Sequence, residues 1–183
     1  MLKIGFSICI LVFGLIVGFL GGQLAAAEIS LSPEKLKGIS KKCLEQWLAL
    51  LKQGDPDAIA DLYDENGTLH PTFAPNLRRG DTLREYFTHF FLKKPEGKII
   101  ESMVQALTDV CHVDSGEYHF EIINLEGKKE IVEARFSFVF KVELSGTMKT
   151  IARFLSKFSL LPYIIDMENR KIYAHHSSPK PLS

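Results

Sequence analysis

Arg135 is the residue whose type and setting in this 183-residue chain most clearly indicate chemistry. It stands in an aromatic segment between Ala134 and Phe136, where a charged side chain is costly unless it faces water, a carboxylate or an anionic ligand. A guanidinium donates two parallel hydrogen bonds to a carboxylate. Two interpretations are open: an ion pair within the chain, for which Glu133 is a candidate, and an anchor for a small anion.

The histidines are weaker indicators. His175 and His176 are adjacent on a predicted strand, so their side chains point to opposite faces. A metal site needs three or four convergent ligands, and no third ligand stands at a suitable spacing from this pair. His70 and His112 could converge with it, but each is also typical of a strand-end histidine with an ordinary hydrogen bond. We therefore predict no metal and no cofactor, and no catalytic or phosphate-loop motif is present in the sequence.

Three helices are predicted in the first half of the chain. Ser32-Pro33-Glu34 is a helix start, and apolar residues then recur at steps of three and four until Gly54. Asp55-Pro56-Asp57 repeats the start signal for a short helix with apolar residues as far as Tyr63. Asp81 is expected to cap a third helix with an aromatic face.

The second half predicts a sheet. Strands are expected at 68–70, 99–110, 117–124, 131–144, 163–166 and 171–174, with a hairpin turn at 125–128. In the segment 131–144 the aromatic residues form one face, which is core, whereas the face of Arg135 is wetter or lines a cavity. The segment 147–166 begins with a short basic amphipathic helix, broken at Leu160-Leu161-Pro162, which could pack on the domain, on an anionic membrane or on a partner. This order predicts an α+β domain, a curved antiparallel sheet packed on three N-terminal helices with a helical insertion before the last strand.

Composition narrows the function. The chain has 22 basic and 22 acidic side chains, so its formal net charge is zero, and 46% of its residues are hydrophobic. This composition excludes intrinsic disorder as an overall description and argues against a general nucleic-acid binder, which needs clustered positive charge. We expect one globular domain without a nucleic-acid partner.

The N-terminal segment is typical of an export signal. Residues 4–27 carry no charge and end in three alanines before Glu28, which predicts a signal peptide at 1–27 cleaved after Ala27. The apolar run approaches the roughly 20 residues that span a bilayer, so an uncleaved anchor is the alternative. The domain at 28–183 would be periplasmic or secreted, or anchored outside the cytoplasm. Cys43 and Cys111 could pair there or remain half-buried thiols.

Several short motifs together resemble a known family. They are Gly54-Asp55, Ala60-x-Leu62-Tyr63, Leu69-His70-Pro71-Thr72, Arg79-Gly80, Tyr86-Phe87-x-x-Phe90, Lys94-Pro95, Gly116-x-Tyr118-x-Phe120 and His175-His176-Ser177-Ser178. This set is similar to the nuclear transport factor 2-like superfamily, and more narrowly to bacterial relatives of the calcium/calmodulin-dependent protein kinase II association domain. The sequence departs from that family at 147–166, which is inserted, and at Arg170, which replaces a tryptophan.

The resemblance implies a cone-like domain whose sheet and helices enclose a pocket with an arginine at the position of Arg135. We expect Arg135 to anchor a small carboxylate-type ligand, with His70, Tyr63, Tyr86 and His176 as lining residues. The family also implies self-association as a homodimer or larger homo-oligomer through the exposed sheet face. Kinase activity is excluded, because the Gly-rich loop, strand lysine and H-R-D motif of kinases are missing from the sequence.

Enzymes of this fold form the alternative. They include isomerases, dehydratases and polyketide cyclases, which use an Asp or His base beside a group that polarises a carbonyl. His176 with Tyr63 or Tyr86, or Asp114 with His112, could form such a pair. A His or Asp within hydrogen-bond reach of a Tyr deep in the pocket would favour an enzyme, and a pocket whose polar group is an arginine would favour anion binding.

Overall fold

The computed structural model describes residues 32–72, 74–108, 110–143 and 170–181. In chain order the elements are α1 (Pro33–Gln53), α2 (Pro56–Ala60), β1 (Tyr63–His70), α3 (Asp81–Phe91), β2 (Glu96–Thr108), β3 (Cys111–Ile123), β4 (Lys129–Val142) and β5 (Arg170–Pro179). The export segment at 1–27, and the insertion at 147–166 with its expected helix and its expected strand at 163–166, lie outside the described residues. Within the described ranges, no helix has the length and apolar character needed to cross a membrane.

Helix α1 begins and ends where its sequence signals predict. The Ser32 hydroxyl accepts a hydrogen bond from the Lys35 N–H at 3.3 Å, and Pro33 is the first helical residue. Gly54 adopts a left-handed conformation (φ 76°) that a side chain would strain, and its N–H closes the helix on the Leu50 carbonyl. The apolar stripe of this helix, including Trp47, is buried against the sheet.

Helix α2 is shorter than predicted, and β1 is longer. The Asp55 carboxylate caps α2 by accepting from two backbone N–H groups, but the helix ends at Ala60. Tyr63 is the first residue of β1, where it pairs with Ile172 of β5. Sheet pairing and burial of this tyrosine therefore override the local helical pattern.

The five strands form one curved sheet in the order β1-β5-β4-β3-β2. The α+β prediction is confirmed, and the pairs from β2 to β5 are antiparallel as expected. The exception is β1, which runs parallel to β5. Strand β3 begins at Cys111, six residues before the predicted start at 117, because it is paired along its length with both β2 and β4. The hairpin turn at 125–128 is confirmed, with Gly127 at φ 76°.

The two faces of the sheet differ in character. The core face is packed against the helices, and on β4 it consists of Ala134, Phe136, Phe138, Phe140 and Val142, as predicted. We call the opposite side the outer face. On the three central strands the outer face carries Val113, Ser115, Ser137, Val139, Ala174 and His176.

Candidate functional site

A cavity of about 270 Å³ lies between the core face and helices α1 and α3. Its apolar lining consists of Trp47, Leu69, Pro71, Ala74, Phe87, Phe90, Phe120, Ile122 and Val132. Its polar lining consists of Thr72, Tyr86, His89, Lys93, Tyr118, His175 and Ser177. Cavities of this composition, apolar with a few polar groups, are typical of small-molecule sites.

His175 lies at the closed, buried end of the cavity with 3% of its surface exposed. Its Nδ1 is 2.9 Å from the Tyr63 hydroxyl, and its ring stacks on Phe138 with centroids 3.8 Å apart. Burial, because an imidazolium is poorly solvated there, and to a smaller extent the neighbouring His176 together lower the pKa of His175 to about 3. The imidazole is therefore neutral at ordinary pH, and its Nε2 has no hydrogen-bond partner among the described residues.

Three hydroxyl groups form a second polar feature at the closed end, which we call the hydroxyl cluster: Thr72, Tyr118 and Ser177. The Tyr118 hydroxyl donates to the Ser177 Oγ, and the Ser177 and Thr72 hydroxyls bond to each other. Burial raises the pKa of Tyr118 well above its usual value, so this cluster is uncharged. The strand β5 supplies both Ser177 and His175, two positions apart on the core face.

The opening of the cavity is formed by α3 and the residues that follow it. His89 and Lys93 are exposed there, and the His89 Nδ1–H donates to the Glu85 carbonyl at 2.7 Å. Tyr86 is half-buried and stacks on Phe90. Burial raises the pKa of Tyr86 to about 12, so its phenol is neutral. Charge is therefore confined to the opening.

The structure does not place Arg135 at the cavity, contrary to the prediction that it anchors a ligand there. Its side chain is exposed on the outer face, beside Glu117 and Ser178 in the sheet register. The reason is the strand pleat: Ala134 and Phe136 fill the core face, so the guanidinium must point away from it. Water meets the solvation need that the sequence had indicated for this charge.

His70 and His176 are also wrongly placed by the prediction. Both are exposed on the outer face, where they are register partners with ring centroids 6.0 Å apart. Simple alternation from the buried Ile172 would turn His176 inward. The register of β4 and β5 instead shifts at Tyr173, and this irregularity turns His175 and Ser177 inward.

The other two predicted lining residues lie on the core side. Tyr86 lines the cavity. Tyr63 is not a lining residue, but it is hydrogen-bonded to His175, which is. The sequence reasoning missed the hydroxyl cluster. A signal for it existed, because Tyr118, Ser177 and Thr72 all occur in the short motifs quoted above, and Ser177 is two positions from His175.

A second buried polar group lies outside the cavity, and we call it the Arg170 chain. Arg170 donates to the His112 Nδ1 at 2.9 Å, and the His112 Nε2 is 3.1 Å from the Ser40 hydroxyl. The Ser40 and Ser102 hydroxyls both donate to the Asp114 carboxylate at 2.7 Å.

The Arg170 chain is not arranged as a nucleophilic triad. Because a guanidinium only donates, the His112 Nδ1 accepts and the proton of this imidazole is on Nε2. His112 therefore donates to Ser40 and cannot take its proton. Burial, followed by the Arg170 charge, lowers the pKa of His112 to about 4. The predicted Asp114–His112 pair is thus buried away from the cavity.

The remaining candidate groups are less organised. Cys43 and Cys111 are free thiols, both half-buried, and burial raises the pKa of each. In the described part of the chain, no three His, Cys, Asp or Glu side chains converge as metal ligands.

Comparison with known proteins gives one family. The model of the calcium/calmodulin dependent protein kinase II association domain matches residues 39–149. A crystal structure of a Xanthomonas campestris protein, described as a candidate association domain of that kinase, is 32% identical. The alignment covers 76% of this chain and 84% of that one, with a TM-score of 0.61. No curated relative matches in sequence.

Two more distant structures share the fold alone. A nuclear transport factor 2-like superfamily protein from Salmonella enterica is 13% identical over 83% of this chain and 96% of that one, with a TM-score of 0.60. A ketosteroid isomerase-like protein from Erwinia carotovora is 14% identical over 82% of this chain and 99% of that one, with a TM-score of 0.57. The cone-like fold is therefore shared widely, and chemistry must be argued from the cavity.

Proposed function

The chain belongs to the calcium/calmodulin dependent protein kinase II association domain family, and from that premise we propose that it is an exported, self-associating module without kinase activity that holds a small organic molecule in its cavity. The observation that carries the ligand-binding part is the cavity itself. An apolar chamber of about 270 Å³ ends in uncharged polar groups, and one of these, the His175 Nε2, has no partner among the described residues. A small molecule with one polar group would fill the apolar chamber and pair with the polar lining at its closed end.

The cavity limits the size and charge of this molecule. A chamber of roughly 150 Å³ is enough for benzene, so about 270 Å³ suits one aromatic ring with a short substituent. Since Arg135 is on the outer face, the cation that lines the cavity in the described structure is Lys93, at the opening. A carboxylate on the ligand would therefore lie near Lys93, in contact with water.

Ligand-observed NMR with a set of single-ring aromatic compounds tests this proposal. The purified protein should bind several of them, and Ala74→Trp should abolish binding by filling the chamber. Leu125→Trp is the matched control, because this turn residue is fully exposed and is not part of the cavity lining. Binding that is absent in the wild type, or that survives Ala74→Trp, would contradict the proposal.

Self-association is proposed through the outer face. Its centre is apolar and half-buried, with Val113, Val139 and Ala174 side by side in the register. A second copy of the chain would cover this strip. Light scattering should give a dimer or larger oligomer for the wild type and a monomer for Val139→Lys. The control Gln46→Lys adds the same charge at an exposed position of α1 and should leave the oligomer intact. A monomeric wild type at micromolar concentration would refute the proposal.

Export is proposed from the uncharged segment and the three alanines before Glu28. N-terminal sequencing of the protein from its native cells should begin at Glu28, with the protein in the periplasm or the medium. An intact N-terminus in the membrane fraction would establish the anchored alternative instead.

A cofactor-independent enzyme is the second candidate, and the His175–Tyr63 hydrogen bond favours it. Against it, none of the described lining residues is a carboxylate, and a histidine with a pKa of about 3 is a weak base. Hydrogen–deuterium exchange at the acetophenone methyl group, followed by NMR in deuterated water, distinguishes the two. A binding module leaves the exchange rate unchanged, whereas acceleration that is lost in His175→Phe would establish the enzyme.

A further inference from the structure

The closed end of the cavity contains more hydrogen-bond donors than it can satisfy internally. The hydroxyl cluster has three O–H groups, one each on Thr72, Tyr118 and Ser177, and two internal hydrogen bonds. Each internal bond uses one proton. Among the described residues, one O–H is therefore left without an acceptor, whichever way the Ser177–Thr72 bond runs.

His175 adds a second unsatisfied donor. The Tyr63 hydroxyl bonds to the His175 Nδ1 and to no other side chain or backbone group described. A buried phenol without an acceptor is costly, so Tyr63 donates to Nδ1 and the imidazole proton lies on Nε2. Burial raises the pKa of Tyr63 and is the largest effect on it. The Trp47 indole lowers that pKa, but its N–H makes no hydrogen bond of normal geometry to a described residue.

The two donors face the same side of β5. Ser177 and His175 are two positions apart on the core face and both line the cavity. The His175 Nε2 is covered by its neighbours, with less than 1 Å² exposed. Thr72 is half-buried and Ser177 is 8% exposed, so the hydroxyl cluster is the more accessible of the two to a ligand.

From this donor excess we infer that the molecule in the cavity is an uncharged carbonyl compound, an aromatic ketone, ester or amide, bound with its acceptor oxygen against the hydroxyl cluster. The inference rests on the proposed ligand-binding function and adds the class and orientation of the ligand. A carboxylate at this end would be desolvated with no Lys or Arg of the described lining beside it, because Lys93 is at the opening. A hydrocarbon would leave the free O–H of the hydroxyl cluster unpaired.

Three probes of similar size separate these cases: acetophenone, benzoate and ethylbenzene. The test variant combines Thr72→Val, Ser177→Ala and Tyr118→Phe. These replacements preserve shape and remove every member of the cluster together, so no partner is left orphaned and the fold should survive. Ile122→Val is the control, since it alters the cavity wall without changing its polarity. Circular dichroism checks that each variant is folded.

Calorimetry should show that the triple variant loses about tenfold in acetophenone affinity while ethylbenzene affinity stays within about threefold. The Ile122→Val control should change both probes equally, and benzoate should bind the wild type more weakly than acetophenone. The infrared carbonyl stretch of bound acetophenone should lie at lower frequency in the wild type than in the triple variant, because hydrogen bonding weakens the C=O bond.

The failures are distinguishable. If none of the probes binds the wild type, the proposed ligand-binding function falls together with this inference. If ethylbenzene binds but the triple variant affects acetophenone no more than ethylbenzene, the cavity is a binding site and the carbonyl inference is wrong. Tighter binding of benzoate than of acetophenone would likewise overturn it.

Discussion

The Arg170 chain and the closed end of the cavity are both buried and polar, but they differ in charge and in space. The Arg170 chain links the Arg170 guanidinium to the Asp114 carboxylate through His112 and Ser40, and Asp114 is 0% exposed. The closed end of the cavity holds neutral groups with unused donors beside open space. The histidine, serine and aspartate residues that suggest catalysis thus belong to the structural Arg170 chain. The hydroxyl cluster of the candidate site consists of Thr, Tyr and Ser, which suggest no particular chemistry in a sequence.

This difference implies that the two regions respond differently to mutation. The Arg170 chain should govern stability, because each member is needed to solvate the next. The closed end should govern ligand selectivity, because its unpaired hydrogen-bond donors can pair with an acceptor group of a ligand. The predictions below compare the two regions in order of expected effect.

The largest effect is expected for Asp114→Ala. It removes the acceptor of Ser40 and Ser102 and leaves Arg170 as an uncompensated buried charge, so the free energy of unfolding should fall by about 3 kcal/mol. Urea unfolding measures this loss. The exposed Glu101→Ala on β2 is the control, with a change within about 0.5 kcal/mol. A loss below about 1 kcal/mol for Asp114→Ala would show that the Arg170 chain is not a structural unit.

Acid should destabilise the protein through both regions. The pKa values of His112 and His175 are lowered in the fold to about 4 and about 3, so the unfolded chain binds more protons below its usual histidine pKa of 6.5. Stability is complete above that pH and falls as the pH drops towards 4, by about 1.4 kcal/mol per pH unit for each histidine.

Urea unfolding at several pH values between 6.5 and 4.5 tests this slope. His175→Phe should remove the share of one histidine and leave that of His112. The same slope in both proteins would mean that His175 is not buried as a neutral imidazole.

A smaller loss is expected for Tyr63→Phe. It removes the donor that holds the His175 Nδ1, at a cost of about 1 kcal/mol in the free energy of unfolding. The tautomer of His175 should then no longer be fixed, which nitrogen-15 NMR of the imidazole measures. An unchanged spectrum of His175 would contradict the assigned direction of this hydrogen bond.

The smallest effect is expected for Arg135→Met. Since Arg135 is exposed on the outer face, ligand binding in the cavity should not change, and stability should change by no more than about 0.5 kcal/mol. Calorimetry with acetophenone and benzoate checks the first point. Weaker benzoate binding in this variant would show that Arg135 takes part in ligand binding.

Much of the fold could be predicted from the sequence, because its signals are local. Ser32, Pro33 and Gly54 determine the limits of α1 through capping and backbone preference. The aromatic alternation of β4 identifies the core face correctly. The parallel pairing of β1 with β5 depends on contacts more than a hundred residues apart, which no local pattern encodes.

The site was less predictable than the fold, and the reasons are geometric. The irregularity at Tyr173 moves the inward positions of β5 from His176 to His175 and Ser177, and a change of one residue exchanges the two faces. The prediction for Arg135 failed because a charged residue among aromatic residues can be solvated on the outer face. Burial of Tyr118 beside Ser177 is a tertiary contact that spacing alone does not reveal.

A crystal structure of the protein with acetophenone tests the central claim most directly. The account predicts the ring between the aromatic walls near Phe90 and Phe120, and the carbonyl oxygen about 2.5–3.0 Å from a hydroxyl oxygen of Thr72, Ser177 or Tyr118. A carbonyl oxygen at the opening beside Lys93, or acetophenone bound on the outer face near Arg135 with the cavity empty, would contradict it.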